Sequence, residues 1–300
     1  MLEGGLRSSM HPNKLTRREL ARLAGVAAAS GAADAQPADT LTARKVIERI
    51  QKNIGVPWNP RTVDTFKAGD PELPVSGIAT CFMSTLDVLQ RSAAAGKNLV
   101  ITHEPTFYNH LDQVSELAED PIYKFKKAFI DKHKMVIWRF HDHWHARKPD
   151  AVMTGLAQRL GWEKRQVGAD QRYYELPQMT LGELARHIQD KLKVRTLRAI
   201  GDPKAMVSRV SLSPGAAGLM AAVGTLPQAD VYVCGEATEW EGIEYVRDTI
   251  AAGHKKGMIL VGHVVTEDPG MELCAQWLKT FITEVSVEWI PTGEPFWRSA

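Results

Sequence analysis

Three short apolar runs in this chain end at a histidine, and that placement constrains the fold more than any other feature. Residues 98–102 (NLVIT) lead into His103, residues 135–140 (MVIWRF) into His141, and residues 258–262 (MILVG) into His263. Each run is too short for a helix and reads as a buried strand. In open α/β sheets, ligands bind in the crevice beyond the carboxyl ends of the strands. Three separate strands therefore deliver imidazoles to the edge where such folds bind things.

The rest of the chain supports that class. Residues 41–54 carry apolar positions at helical spacing and stop at Gly55. Residues 56–74, rich in Pro and Gly, read as a loop. Residues 75–82 read as a strand, and Ser84-Thr85-Leu86-Asp87 as a capping box opening a helix to about Gly96. Asp120-Pro121 is an N-cap followed by proline at the first helical position. Further strands are expected at 207–213, 230–234 and 285–290, with Pro214-Gly215 as a turn and helices between the strands. Residues 163–205 differ in texture and read as a small inserted or linking subdomain. The expected fold is α/β: layered sheets flanked by helices, in two similar halves with the small subdomain between them.

The front of the chain reads as an address. Arg17-Arg18 precedes an alanine-rich run ending in Ala33-Asp34-Ala35. This is the order of a twin-arginine export signal with a small-residue cleavage site, so residues 1–35 are expected to be a signal peptide and residues 36–300 the exported, periplasmic domain. Residues 1–35 hold five of the 37 basic groups and three of the 35 acidic ones, which leaves 32 of each sign in the remainder. A balanced surface offers no basic footprint for nucleic acid. No stretch approaches the roughly 18 apolar residues of a membrane span. The three cysteines, Cys81, Cys234 and Cys274, show no CxxC spacing; Cys81 and Cys234 end apolar runs and read as core residues.

The chemistry gathers in three segments. Thr102-His103-Glu104-Pro105 places an imidazole beside a carboxylate. His141-Asp142-His143-Trp144-His145 holds three imidazoles at alternating positions, which in an extended segment would all point to one face. Gly262-His263-Val264-Val265-Thr266-Glu267 sets His and Glu four apart, aligned if helical. Imidazole with carboxylate suits zinc, iron, manganese or nickel far better than magnesium or calcium. Glu236, Glu239 and Glu241 follow a strand and are candidates to support the ligands from behind. No GxGxxG, Walker or GxSxG pattern is present.

At these segments the chain resembles the dinuclear metal centre proteins called GTP cyclohydrolase I type 2 homologues, the family named for the Ngg-interacting factor three. That family carries S-H-H-P after one strand, H-T-N-L-D after another, then T-G-E and G-H-x-x-T-E. The matching stretches are Thr102 to Pro105, His141 to His145, Cys234-Gly235-Glu236, and Gly262 to Glu267. The family's second histidine falls on Glu104 and its aspartate on His145, so three histidines and two carboxylates are retained. A family histidine pair falls on Glu239 and Trp240. The resemblance implies layered α/β halves, a ring-shaped homo-hexamer and two divalent transition metal ions. Their ligands would be His103, Glu104, His145, His263 and a bridging Glu267, with His141, Asp142 and His143 as alternatives at the His145 position.

Two functions follow. One is a metal-dependent hydrolase of a small-molecule substrate, with His141 or His143 moving protons, since imidazole titrates near neutrality. The other is a non-catalytic metal-binding or assembly protein. Metal-dependent turnover would separate them.

Overall fold

The computed structural model describes residues 40–297 and 299. The expected export signal and its cleavage site lie outside the described residues. Among these, the chain forms two five-stranded sheets flanked by helices.

The first half opens with α1 (Ala43–Asn53), capped by Thr42, whose side chain accepts from Lys45 N. It continues with β1 (Phe66–Ala68), β2 (Gly77–Met83), α2 (Leu86–Ala94), β3 (Leu99–Glu104), α3 (Pro121–Lys132) and β4 (Val136–Arg139). Two helices follow, α4 (Asp142–Ala146) and α5 (Ala151–Leu160). The sheet order is β1-β4-β3-β2-β10, where β10 (Ser286–Trp289) returns from the end of the chain; only β1 runs antiparallel. Its inner strands are buried on both faces. Ile78, Leu99 and Ile101 face one apolar cluster, while Ala79, Cys81 and Val100 face another. That explains why these strands read as continuous apolar runs rather than alternating ones.

The second half comprises β5 (Tyr173–Thr180), α6 (Leu181–Leu192), β6 (Arg198–Ile200), β7 (Met206–Ala216), α7 (Leu219–Thr225), β8 (Val231–Glu236), α8 (Glu244–Ala251) and β9 (Gly257–Leu260). The sheet order is β5-β7-β8-β9-β6, with a parallel centre and an antiparallel strand at each edge. The segment 163–205, expected as an inserted subdomain, thus supplies both edge strands of this sheet.

The long helix α9 (His263–Leu278) touches both halves: it packs on α5, β2 and β10 and on β7 and β8. Thr266 to Met271, Cys274, Ala275 and Leu278 are all buried along it. A Cβ on Gly155 of α5 would lie 2.6 Å from the Pro269 carbonyl, and one on Gly270 would lie 2.8 Å from Val152 Cα. The two backbones therefore meet where only glycine fits.

Three local expectations are corrected. Pro214-Gly215 is not a turn that ends a strand: β7 runs on to Ala216, absorbing the pair in a register shift between Ser213 and Ala216. The helix at 86 is capped by Thr85, whose hydroxyl accepts from Val88 N, while the Ser84 hydroxyl bonds to Thr106. The 56–74 loop contains strand β1, too short to show a period. All three cysteines are buried and free.

Candidate metal centre

Strand ends and one helix start build the site. The end of β3 presents His103 and Glu104, the turn after β4 presents His141, α4 presents His145, and the first turn of α9 presents His263 and Glu267. The rings of His103, His141 and His145 form a triangle with centroids 4.6, 4.9 and 4.9 Å apart. Glu267 is buried beside them. Its Oε2 lies 3.4 Å from His103 Nε2 and 3.0 Å from His263 Nε2, and its Oε1 lies 4.0 Å from His145 Nε2. Glu104 Oε1 lies 3.6 Å from His141 Nε2 and 3.5 Å from His263 Nε2.

Every imidazole in the cluster is held from behind through Nδ1. His103 Nδ1 donates to the Phe140 carbonyl at 3.0 Å, and His145 Nδ1 to Asp150 at 2.9 Å. His141 Nδ1 donates to Asp142 at 2.9 Å, and His263 Nδ1 to Glu236 at 3.0 Å. With Nδ1 engaged from behind, each ring turns its Nε2 inward, which is how metal-ligating histidines are oriented by their supporting carboxylates and carbonyls. His103 Nε2 is buried with no hydrogen-bond partner, and an orphaned buried polar atom calls for an explanation such as an ion. The space is also kept clear on purpose: a Cβ on Gly215, at φ +73°, would lie 2.1 Å from Glu267 Oε1 and 3.2 Å from His263 Nε2.

The electrostatics match a cation site. Burial opposes the charged form of Glu267, yet the neighbouring charge of His103 and the contact with His263 hold it well below the usual carboxylate range. Glu104 is lowered in the same way: burial opposes, and the His263 hydrogen bond and the His103 charge prevail. Burial, then the adjacent His103 and His145, push His141 down to about 4. Donor atoms of His103, His141 and His145 lie within 4.8 Å of one another, as do those of His103, Glu104 and Glu267. Four imidazoles and two carboxylates are a donor set for a borderline transition metal.

The structure brings together the five expected ligands His103, Glu104, His145, His263 and Glu267, and adds His141 to them. His143 goes elsewhere. The segment is helical, not extended, so positions two apart differ by about 200° while positions four apart share a face. His141 and His145 therefore meet, and His143 turns into the core. There it stacks on Trp58 at 3.6 Å, donates from Nδ1 to Asp64 at 2.7 Å and accepts at Nε2 from Asn59 N at 2.9 Å. Both ring nitrogens of His143 are thus engaged in the core, while His141 stands in the cluster. Asp142 lies behind His141 and also bonds Thr62. Glu239 and Trp240 point outward, the Trp240 side chain being 80% exposed.

Of the supporting residues, sequence reasoning named Glu236 and missed Arg139, Asp150 and Asp64. Arg139 is fully buried; it donates to the His103 and His110 carbonyls and to Glu104 Oε2 at 3.0 Å. A charge inside the run MVIWRF was the available signal. Asp150, five residues beyond His145, and Asp64, in the loop before β1, carried none.

Fold and cluster together define a two-sheet α/β protein with a buried histidine–carboxylate group able to hold metal ions. Residues 58–294 match the family described as Duf34/NIF3 (NGG1p interacting factor 3), and the chain belongs to it. It is similar to a GTP cyclohydrolase 1 type 2 homolog of Clostridium acetobutylicum, 23% identical over 230 residues that span 73% of this chain and 82% of that one. Its fold matches the Staphylococcus aureus hypothetical protein SA1388 with a TM-score of 0.67 at 17% identity, over 87% of this chain and all of that one. The Bacillus cereus protein related to NIF3 matches with a TM-score of 0.67 at 14% identity, over 87% of this chain and 99% of that one.

Proposed function

We propose that this chain holds two divalent transition metal ions and uses them to hydrolyse a small-molecule substrate. The observation that carries the reading is the shared orientation of four imidazoles, each fixed through Nδ1 and each turning Nε2 toward Glu104 or Glu267. His103, His141 and His145 would hold one ion. Glu104 and His263 would hold the other, with Glu267 between them. Zinc, iron and manganese suit this set. Two such ions would supply Lewis acidity, making water a usable nucleophile near neutral pH and stabilising charge in a displacement.

The protein's own part is to orient. Glu236, Asp142 and Asp150 fix ring tautomers, and Gly215 leaves the space between Glu267 and His263 open. Arg139 occupies one oxygen of Glu104 and so presents the other to the cluster. The relatives' name carries GTP cyclohydrolase only as a homologue, and this reading assigns no nucleotide substrate. It includes export, on the strength of Arg17-Arg18 and the alanine-rich run ahead of Ala35.

The test is metal content of the purified chain by mass spectrometry, beside His263→Ala and Glu267→Ala. About two metals per chain, with one lost in His263→Ala and both weakened in Glu267→Ala, is expected. A wild-type chain that stays metal-free after resupply would sink the proposal.

A further inference from the structure

The loop after β3 is built with more constraint than a connection requires. Tyr108 sits in the left-handed region at φ +70°, and Asp112 at φ +55°. For a bulky residue such as tyrosine this conformation is an outlier, and it persists only where the surroundings over-determine it. Here they do. Asp112 Oδ1 accepts from Phe107 N at 2.7 Å, and its other oxygen lies 3.6 Å from Lys67 Nζ with both side chains nearly buried. Asn109 closes the loop on Gln113, accepting from its N at 2.8 Å and donating to its carbonyl. Arg139 ties the loop to the metal cluster, since one guanidinium bonds both Glu104 and the His110 carbonyl. Lys126, 1% exposed, donates to the Thr106 carbonyl and sets its ammonium 5.0 Å from the Tyr108 ring centroid.

The strained backbone carries an aromatic ring out of the core. Tyr108 is 54% exposed, although an apolar ring is normally drawn inward. One face of the ring meets the buried ammonium, leaving the other to solvent. It lines a cavity of about 340 Å³ together with Phe82, Pro105 and His110, and at the same cavity stand Glu104 and His263 of the cluster. The volume suits one small molecule. A flat apolar surface backed by a cation favours stacking with an electron-rich ring.

We propose that Tyr108 is the stacking platform of a substrate subsite, and that the molecule taken at the cluster is a small anionic compound bearing a flat unsaturated ring. The ring lies against Tyr108 and the anionic group reaches the Glu104–His263 end, where a cation would receive it. This inference rests on the metal reading above.

Phenylphosphonate and methylphosphonate test it, because they share a hydrolysis-resistant oxyanion and differ in the ring. Calorimetric titration would use the full chain loaded with two equivalents of zinc. Phenylphosphonate should bind about tenfold more tightly to the wild type, the scale expected for burying and stacking one ring. Tyr108→Phe should keep that preference. Tyr108→Gly should abolish it while leaving methylphosphonate affinity unchanged, and glycine takes φ +70° without strain, so the loop is preserved. Equal affinity for the two probes in the wild type overturns the inference, as does a preference that survives Tyr108→Gly. Failure of both probes to bind a zinc-loaded chain overturns it too. A chain that takes up no zinc instead refutes the metal reading and this inference with it.

Discussion

Asp64 is expected to matter more than any residue outside the cluster. It lies in the loop before β1, 4% exposed, and caps α4 from a distance of more than seventy residues. Its Oδ1 accepts from the backbone N of His141 at 2.7 Å and of Asp142 at 2.9 Å. Its Oδ2 accepts from His143 N at 2.9 Å and His143 Nδ1 at 2.7 Å. Asp64→Ala strands these four donors. The two on His143 are buried, and each buried unsatisfied donor costs about 1–3 kcal/mol. The two at the helix start are partly exposed, and water replaces most of their loss, as for an ordinary N-cap worth about 1 kcal/mol. The sum is about 4 kcal/mol, or a fall in Tm of roughly 10 °C for a chain of this size. Asp64→Asn is no rescue. Its amide would face the His143 N–H groups, and the ring cannot switch tautomer because Nε2 already accepts from Asn59. Because α4 carries His145 and has His141 as its N-cap, metal affinity should fall about 10–100-fold, the usual cost of losing a group that orients ligands. Urea unfolding of the metal-free chain and competition with a zinc chelator measure the two effects. A stability loss below about 1 kcal/mol, or unchanged zinc affinity, would refute the argument that this distant carboxylate holds the ligand helix.

Two further outcomes follow from the same geometry. Gly215→Ala should destroy zinc binding while the secondary structure by circular dichroism is kept, since the added methyl occupies the space beside Glu267 Oε1 and His263 Nε2; retention of two zinc ions per chain would contradict this. Metal uptake at pH 7 should release about one proton per chain from His263, readable with an indicator dye in weak buffer. Burial opposes its charge, but hydrogen bonds to Glu104 and Glu267 prevail and raise it to about 11 in the metal-free protein. Apparent affinity should therefore rise about tenfold per pH unit for each such proton. In the metal-free chain the sign reverses. A raised histidine stabilises the fold fully below its ordinary value of 6.5, and that contribution fades as the pH climbs through about 11. Uptake without proton release would show that His263 is not a ligand.

The sequence revealed the parts of this site that obey short-range rules. Apolar runs of strand length, flanked by capped helices, located the strand ends; sheet topology explains why His103 and His141 arrive at one edge of the first sheet, while His263 follows β9 of the second sheet at the start of α9. The i, i+4 spacing of His263 and Glu267 was legible because the segment is helical, and both side chains do face the cluster. The same spacing rule, applied with the wrong period, misplaced His143: five residues are too few to show whether they are extended or helical. What could not be read was the matching of groups far apart in the chain. Asp64 meets His143, Arg139 meets Glu104, and Gly215 meets Glu267 across separations that no periodicity records.

That division has a physical cause, and it explains why a site can tolerate exchanges among its ligands. The ligand positions are set by backbone topology, which many sequences share. The orientation of each donor is set by a partner chosen one residue at a time. Glu104 stands where the resembling family carries histidine, and in this chain a buried guanidinium grips it by one oxygen. A carboxylate with two equivalent oxygens and free rotation would be a looser donor than an imidazole of fixed direction. With Arg139 holding Oε2, Glu104 offers the cluster a single directed oxygen, much as an imidazole offers a single nitrogen.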